Sequence, residues 1–348
     1  MASNNELKQS ILEAVKQAQV GALERLDIYA NPATTNYKNE FLFFLKPELT
    51  EASEAIRLDT ILDIVLDKIH QFGLSISNVS IIGAVYLDKF DIIAQHYGVI
   101  NQLARDAKAN ISETAKAKFT EAYGKDVNEV ALVGGFEFLN KYPTFNATSL
   151  DILWQQPDNI KLSGGTYSES VRIDGSEIFL VNGFHPRQLA HFTDRGRSIV
   201  TMTLTGETNW SVARNDFVGI TKPQNANIGS LRRILLDKKA ELGLKEVSQG
   251  VNGVHLSAGP VEGLVELIRY NSDFRDRGKI RSHLDFTFGK KLSESFTTAQ
   301  VMDIISNKKV MINGQEISVF DLTEEQDSDD AMRELLLIFP QLDQAYKG

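Results

Sequence analysis

The stretch Val251–Pro260, VNGVHLSAGP, decides how this chain is read. His255 stands between apolar neighbours, Asn252 precedes it by three residues, and small residues lead to Pro260, which opens a helix because proline suits the first helical position. A histidine in such a setting can simply fill space. It can also do chemistry, since an imidazole with an ordinary pKa of about 6.5 is a neutral nucleophile near neutral pH. The choice depends on which other groups the chain brings to it.

Working outward, the spacing predicts alternating strands and helices. Apolar positions Leu7, Ile11, Val15, Ala18, Ala22 and Leu26 recur at helical spacing over residues 4–26, and Pro32 breaks the pattern. EFLFFLKPE reads as a short buried strand ended by Pro47, which leaves Lys46 at the strand end. A helix over 51–71 and a strand in LSISNVSIIGAVYL follow, and KFDIIAQHYG starts a further helix. Helical stretches near 103–122 and 126–141 precede VRIDGSEIFLV, where Asp174-Gly175 marks a hairpin. A helix near 186–195, the strand SIVTMTLTG, a helix near 209–218 and the Pro260 helix complete the pattern. Asn313-Gly314 marks a second hairpin, and EEQDSDD reads as the acidic start of a helix. The order implies an α+β layered sheet with helices on its faces.

Composition narrows the function. The 348 residues carry a formal net charge of −9, so an extended nucleic-acid backbone is a poor partner, whereas a small anion needs only a local cationic pocket. With no cysteine, thiolate zinc sites, cysteine nucleophiles and disulfides are excluded. The longest tight apolar run, FLFFL, is far too short to span a bilayer, and MASNNELKQ lacks the pattern of a secretory signal, so a cytoplasmic protein with no membrane partner is expected. P-loop, H-E-x-x-H and G-x-S-x-G motifs are absent.

Lys46-Pro47-Glu48, His96-Tyr97, Phe184-His185-Pro186, the run SIVTMTLTGETNWSVARNDFVGITKPQNANIGSLR and Asn252-Gly253-Val254-His255 together resemble the nucleoside diphosphate kinase family. The resemblance covers roughly 39–97 and 182–270. It implies a ferredoxin-like four-stranded antiparallel sheet with helices, preceded by an N-terminal helix extension (1–38), interrupted by an inserted α/β subdomain (98–181) and followed by a C-terminal extension (271–348). It implies that His255 carries the phosphoryl group and that Glu266 and Ser257 orient it, with Lys46 and Tyr97 as further catalytic residues. Lys46, Phe184, Arg214, Thr221, Arg232 and Asn252 fall on nucleotide-binding positions. The chain departs from the family after the histidine, where Leu256, Ala258 and Gly259 keep only Ser257 of the usual motif, and at Ile228, where proline is usual.

The physics suits that assignment. A phosphoryl group in transfer carries dispersed negative charge, so catalysis is mainly positioning and cationic stabilisation. The expected reaction is ping-pong transfer of the γ-phosphate from ATP or another nucleoside triphosphate to a nucleoside diphosphate. Mg²⁺ enters through the nucleotide phosphates, with no protein ligand to the metal. A phosphohistidine phosphotransferase with a different acceptor, and a non-catalytic nucleotide-binding regulator, are the alternatives. The resemblance also implies a homo-oligomer, with a dimer favoured.

Overall fold

The computed structural model describes residues 4–30, 37–156 and 158–345, so the break at Pro32 lies outside the described residues. The chain divides into two compact units, Met1–Tyr86 with Arg195–Gly348, and Leu87–Asp194. Numbered along the chain, the strands are β1 (Arg25–Ala30), β2 (Asn39–Leu45), β3 (Ser75–Gly83), β4 (Leu132–Gly134), β5 (Ile160–Ser163), β6 (Thr166–Ile173), β7 (Ser176–Val181), β8 (Ser198–Gly206), β9 (Val254–Leu256), β10 (Lys309–Ile312) and β11 (Gln315–Ser318).

The first unit is built on a sheet of order β1-β3-β8-β2-β9 in which every neighbouring pair is antiparallel. Helices Leu58–Gln71 and Leu231–Asp237 lie between β2 and β3 and between β8 and β9 in the chain. Those four strands and two helices therefore run in β-α-β-β-α-β order. The sheet has five strands rather than the expected four, because Arg25–Ala30 pairs with β3 beyond the N-terminal helix. That strand is hard to see in sequence. Its buried end residue is a charged one, Arg25, whose guanidinium donates to the Tyr270 carbonyl at 3.0 Å, while Leu26 is exposed.

The central strands β2 and β8 are covered on both faces, so β2 reads as a continuous apolar run. Phe41, Phe43 and Leu45 join a core with Leu7, Ile11 and Val15 of helix Asn4–Gln19 and Ile61, Leu62, Val65 and Ile69 of helix Leu58–Gln71. On the opposite face Phe44 lies 5.5 Å, ring to ring, from Tyr270 of helix Pro260–Asn271. Each buried Phe or Leu side chain stabilises by about 1.5–3 kcal/mol. The N-terminal helix ends at Gln19 rather than reaching residue 26. Pro47 ends the strand as expected but also opens the four-residue helix Pro47–Thr50, where its missing N–H is no loss.

The second unit has its own sheet, of order β4-β7-β6-β5, and its own apolar clusters. The Asp174-Gly175 hairpin joins β6 to β7, with both turn residues at positive φ (51° and 80°), as a type I′ turn requires. The stretch near 103–122 is three helices, Gly98–Arg105, Ala107–Asn110 and Glu113–Tyr123. Asp106 and Ser112 break it by capping the second and third, their side chains accepting from Ala109 and Ala115 amides. The stretch 126–141 holds the three-residue strand β4, parallel to β7, before helix Gly135–Lys141.

Candidate active site

His255 is the middle residue of β9, paired with Phe44 of β2. Gly253 and Ser257, one on each side, hold that short strand in register. The Gly253 carbonyl accepts from the Lys46 amide at 2.8 Å, and the Gly253 amide donates to Glu48 Oε1 at 2.8 Å. Gly253 is required there, since its φ is +80° and a Cβ would come within 2.4 Å of the Leu235 side chain. On the far side Ser257 extends the ladder: its amide donates to the Leu42 carbonyl, and its hydroxyl stands 3.1 Å from the Leu42 amide and 3.3 Å from the Leu42 carbonyl. Both bonds of this hydroxyl go to Leu42, so Ser257 acts on the strand that carries His255.

The ring of His255 is fixed from two directions. Phe44 stacks on it at 4.5 Å with 19° between the planes. Its Nε2 lies 3.0 Å from Oε2 of Glu266, a residue on helix Pro260–Asn271 that is 2% exposed. An ionised carboxylate can only accept, so this contact places a proton on Nε2 and the ring's lone pair on Nδ1. Burial lowers the pKa of His255; the Glu266 charge and hydrogen bond oppose that, and Lys46 and Arg232 add to it. The imidazole is therefore neutral at pH 7.

Lys46 is 9% exposed and donates to Asn252 Oδ1 at 2.7 Å. Asn252 in turn donates to the carbonyls of Thr221 (3.2 Å) and Gln249 (3.0 Å), which aims its oxygen at the lysine. Burial lowers the Lys46 pKa to about 8; Glu48 opposes the shift and Arg232 reinforces it. Arg232 donates to the carbonyls of Gly219 (2.7 Å) and Val254 (2.9 Å), spanning from the Gly219 turn to the strand of His255. The structure thus gathers Lys46, Arg232, Asn252, His255 and Glu266 into one cluster, with the Thr221 backbone at its border.

The remaining sequence candidates, Arg214, Tyr97 and Phe184, have other bonding and packing partners. Arg214 lies in a π-helical turn, Ala213–Val218, and its guanidinium bonds Glu324 at 2.9 Å and Glu325 at 3.4 Å. Tyr97 and Phe184 belong to the second unit. Tyr97 follows helix Ile92–His96, and Phe184 packs on Trp154 at 5.7 Å and Tyr167 at 6.1 Å. Sequence reasoning missed Glu262, one helical turn before Glu266. Its carboxyl is pushed up to about 8 by burial and then by Glu266, while Arg214 pulls it down. Glu spaced four apart on a helix was the available signal. Phe44 was also missed; its stacking depends on strand register, which no local pattern displays.

No protein-family model and no curated protein sequence matches the chain. Among solved structures it is similar to the apo, cubic-form nucleoside diphosphate kinase from Encephalitozoon cuniculi, at 12% identity over 69% of this chain and 97% of that one, with a TM-score of 0.32. It is also similar to an NDP kinase from Pyrobaculum aerophilum, at 17% identity over 70% and 99% of the two chains, with a TM-score of 0.33. Likeness at these TM-scores decides neither fold nor function. Among the described residues no helix is long and apolar enough to cross a membrane.

Proposed function

We propose that this protein transfers the γ-phosphate of a nucleoside triphosphate to a nucleoside diphosphate through a phosphohistidine at His255. One observation carries the reading: a neutral, stacked imidazole whose Nε2 is bonded to the buried Glu266 at 3.0 Å, with the cations Lys46 and Arg232 close enough to depress its pKa.

The Nδ1 lone pair attacks the γ-phosphorus. The bond from that phosphorus to its bridging oxygen breaks, and the diphosphate leaves with the electron pair. The imidazole becomes positively charged as the N–P bond forms, and Glu266 on Nε2 stabilises that charge. In the second half a terminal oxygen of the acceptor diphosphate attacks the phosphorus, the N–P bond breaks, and the lone pair returns to Nδ1. Lys46 and Arg232 balance the phosphate charge in both halves, in a setting where burial strengthens each interaction. Mg²⁺ belongs to the substrate complex. The cluster's own carboxylates are engaged, Glu266 by His255 and Glu48 by the Gly253 amide, while its cations suit phosphate oxygens.

The test is incubation with γ-labelled ATP and Mg²⁺ followed by a chase with several diphosphates. We expect an acid-labile, base-stable label that is lost to the diphosphates and absent from His255→Ala. Equal labelling of that variant would remove His255 from the reaction. A label on His255 that no diphosphate collects would instead point to a different acceptor.

A further inference from the structure

Arg214 stands near enough to Glu262, one helical turn before Glu266, to pull its carboxyl down, and the C-terminal segment has taken one edge of its guanidinium. Its Nη2 donates to Glu324 Oε1 at 2.9 Å and its Nε to Glu325 Oε1 at 3.4 Å. Those two nitrogens form one side of the guanidinium fork, the edge that binds phosphate or carboxylate in bidentate fashion. Neighbouring Asn215 also reaches Glu325, at 3.5 Å.

The acidic pair is held there deliberately. The Glu325 amide donates to the Ala258 carbonyl at 2.9 Å, tying the extension to the loop that follows His255. The Thr323 carbonyl lies so close to Gly259 that a Cβ there would come within 2.4 Å of it, so the small residue after the histidine makes room for the extension. Glu325 takes a φ of +58°, which a residue other than glycine adopts seldom and only when its surroundings enforce it. Beyond it, Asp327 accepts from the Trp210 amide at 2.9 Å and from Asn39 at 3.0 Å and pairs with Lys38 at 2.6 Å. The segment is anchored at both ends while its middle faces Arg214. Glu324 charge also reaches Glu262, beside Glu266. On another side, Glu325, Gln326 and Asp327 line an open cleft of about 670 Å³.

We propose that Thr323–Asp327 is a built-in competitor for polyphosphate: Glu324 and Glu325 occupy the phosphate-binding edge of Arg214 and must yield it before an anionic ligand can use it. The proposal rests on reading the site as one that binds nucleotide phosphates. The side chains of Arg214, Glu324 and Glu325 are 26%, 46% and 39% exposed, so these pairs are solvent-screened and a multiply charged anion can displace them.

The test compares the intact chain with Glu324→Gln/Glu325→Gln, titrating each with inorganic tripolyphosphate and with Mg·ATP by calorimetry. The double variant should bind both about five- to tenfold more tightly, and Glu324→Gln alone should gain less. A second measurement needs no variant. Hydrogen exchange of the Glu325 amide, protected by Ala258 in the free protein, should speed up when tripolyphosphate saturates the wild-type chain. Equal affinities for wild type and variant, or a Glu325 amide whose exchange does not change on saturation, would overturn the competitor while leaving the site's phosphate binding intact. Should neither protein bind either ligand, the nucleotide reading fails and the competitor with it.

Discussion

Two buried glutamates, one in each unit, show what a partner does for an acid. Glu266 is 2% exposed and bonds the His255 ring at 3.0 Å. Glu169, on β6 opposite Leu180 of β7, is 0% exposed, and neither carboxyl oxygen has a hydrogen-bond partner among the described residues. Strand alternation puts Glu169 on the same face as Tyr167 and Val171, which pack in a cluster with Phe138, Leu150, Trp154 and Leu180. Burial among such residues pushes its carboxyl up to about 8. Equal burial thus produces opposite results. The first acid holds an imidazole ring, and the second is stored protonated at a cost to its own unit.

The largest effect expected is at Glu266. Glu266→Gln keeps the size but removes the charge that, in the proposed reaction, steadies the phosphorylated ring. Phosphoenzyme formation should slow by about 10²-fold or more in single-turnover experiments, with little change in nucleotide binding. A loss below threefold would reduce Glu266 to the status of Glu169, a buried acid without a chemical role.

Glu169→Gln should act on stability instead. The folded pKa of about 8 lies above the ordinary 4.5. Below pH 4.5 folded and unfolded chains both hold the proton, and the group's contribution is fully present. As pH rises from 4.5 the unfolded chain releases the proton while the folded one retains it until about 8, so stability falls across that window. The variant should therefore gain on wild type between pH 5 and 8, by about 1–3 kcal/mol at the upper end. The two tryptophans make the measurement specific: Trp154 reports the second unit and Trp210 the first. In a Trp210→Phe background, denaturation followed by Trp154 fluorescence should show the gap widening with pH. A gap that is constant with pH would mean that Glu169 does not titrate as described.

A smaller effect is expected at Lys46. With its pKa lowered to about 8, it is largely charged at pH 7 and loses its proton above 8. A bound phosphate raises that pKa again, so binding above pH 8 requires proton uptake, and affinity for tripolyphosphate should fall by up to about tenfold per pH unit from 8 to 9. Lys46→Arg should flatten that slope. An equally steep slope in Lys46→Arg would assign the titration to another group.

Much of this architecture was legible in sequence. Asp174-Gly175 and Asn313-Gly314 each carry the two positive-φ residues of a tight hairpin, and both hairpins form. The strand Ser198–Gly206 and the helix from Pro260 announce themselves through composition and proline. Lys46, Arg232, Asn252, His255 and Glu266 could be nominated together because their order and spacing resemble those of a known family; taken singly, each also reads as an ordinary structural or surface residue. What stayed hidden depends on pairings between distant parts of the chain. β1 and β4 are too short or too polar to be seen without the strands they join. The Ser257 hydroxyl has its partner 215 residues away, at Leu42. The capture of Arg214 by Glu324 joins residues 110 apart, and the acidic run reads locally as a solvated helix start.

The central claim is that Glu266 holds the proton of His255 on Nε2 and so directs the phosphoryl group to the other nitrogen. Phosphorylating the intact protein with ATP and Mg²⁺, then locating the phosphate on the ring by ³¹P and ¹⁵N NMR, measures this directly. The account predicts phosphate on Nδ1 of His255, with Nε2 still protonated and bonded to Glu266. Phosphate on Nε2, on another residue, or on no residue at all would contradict it.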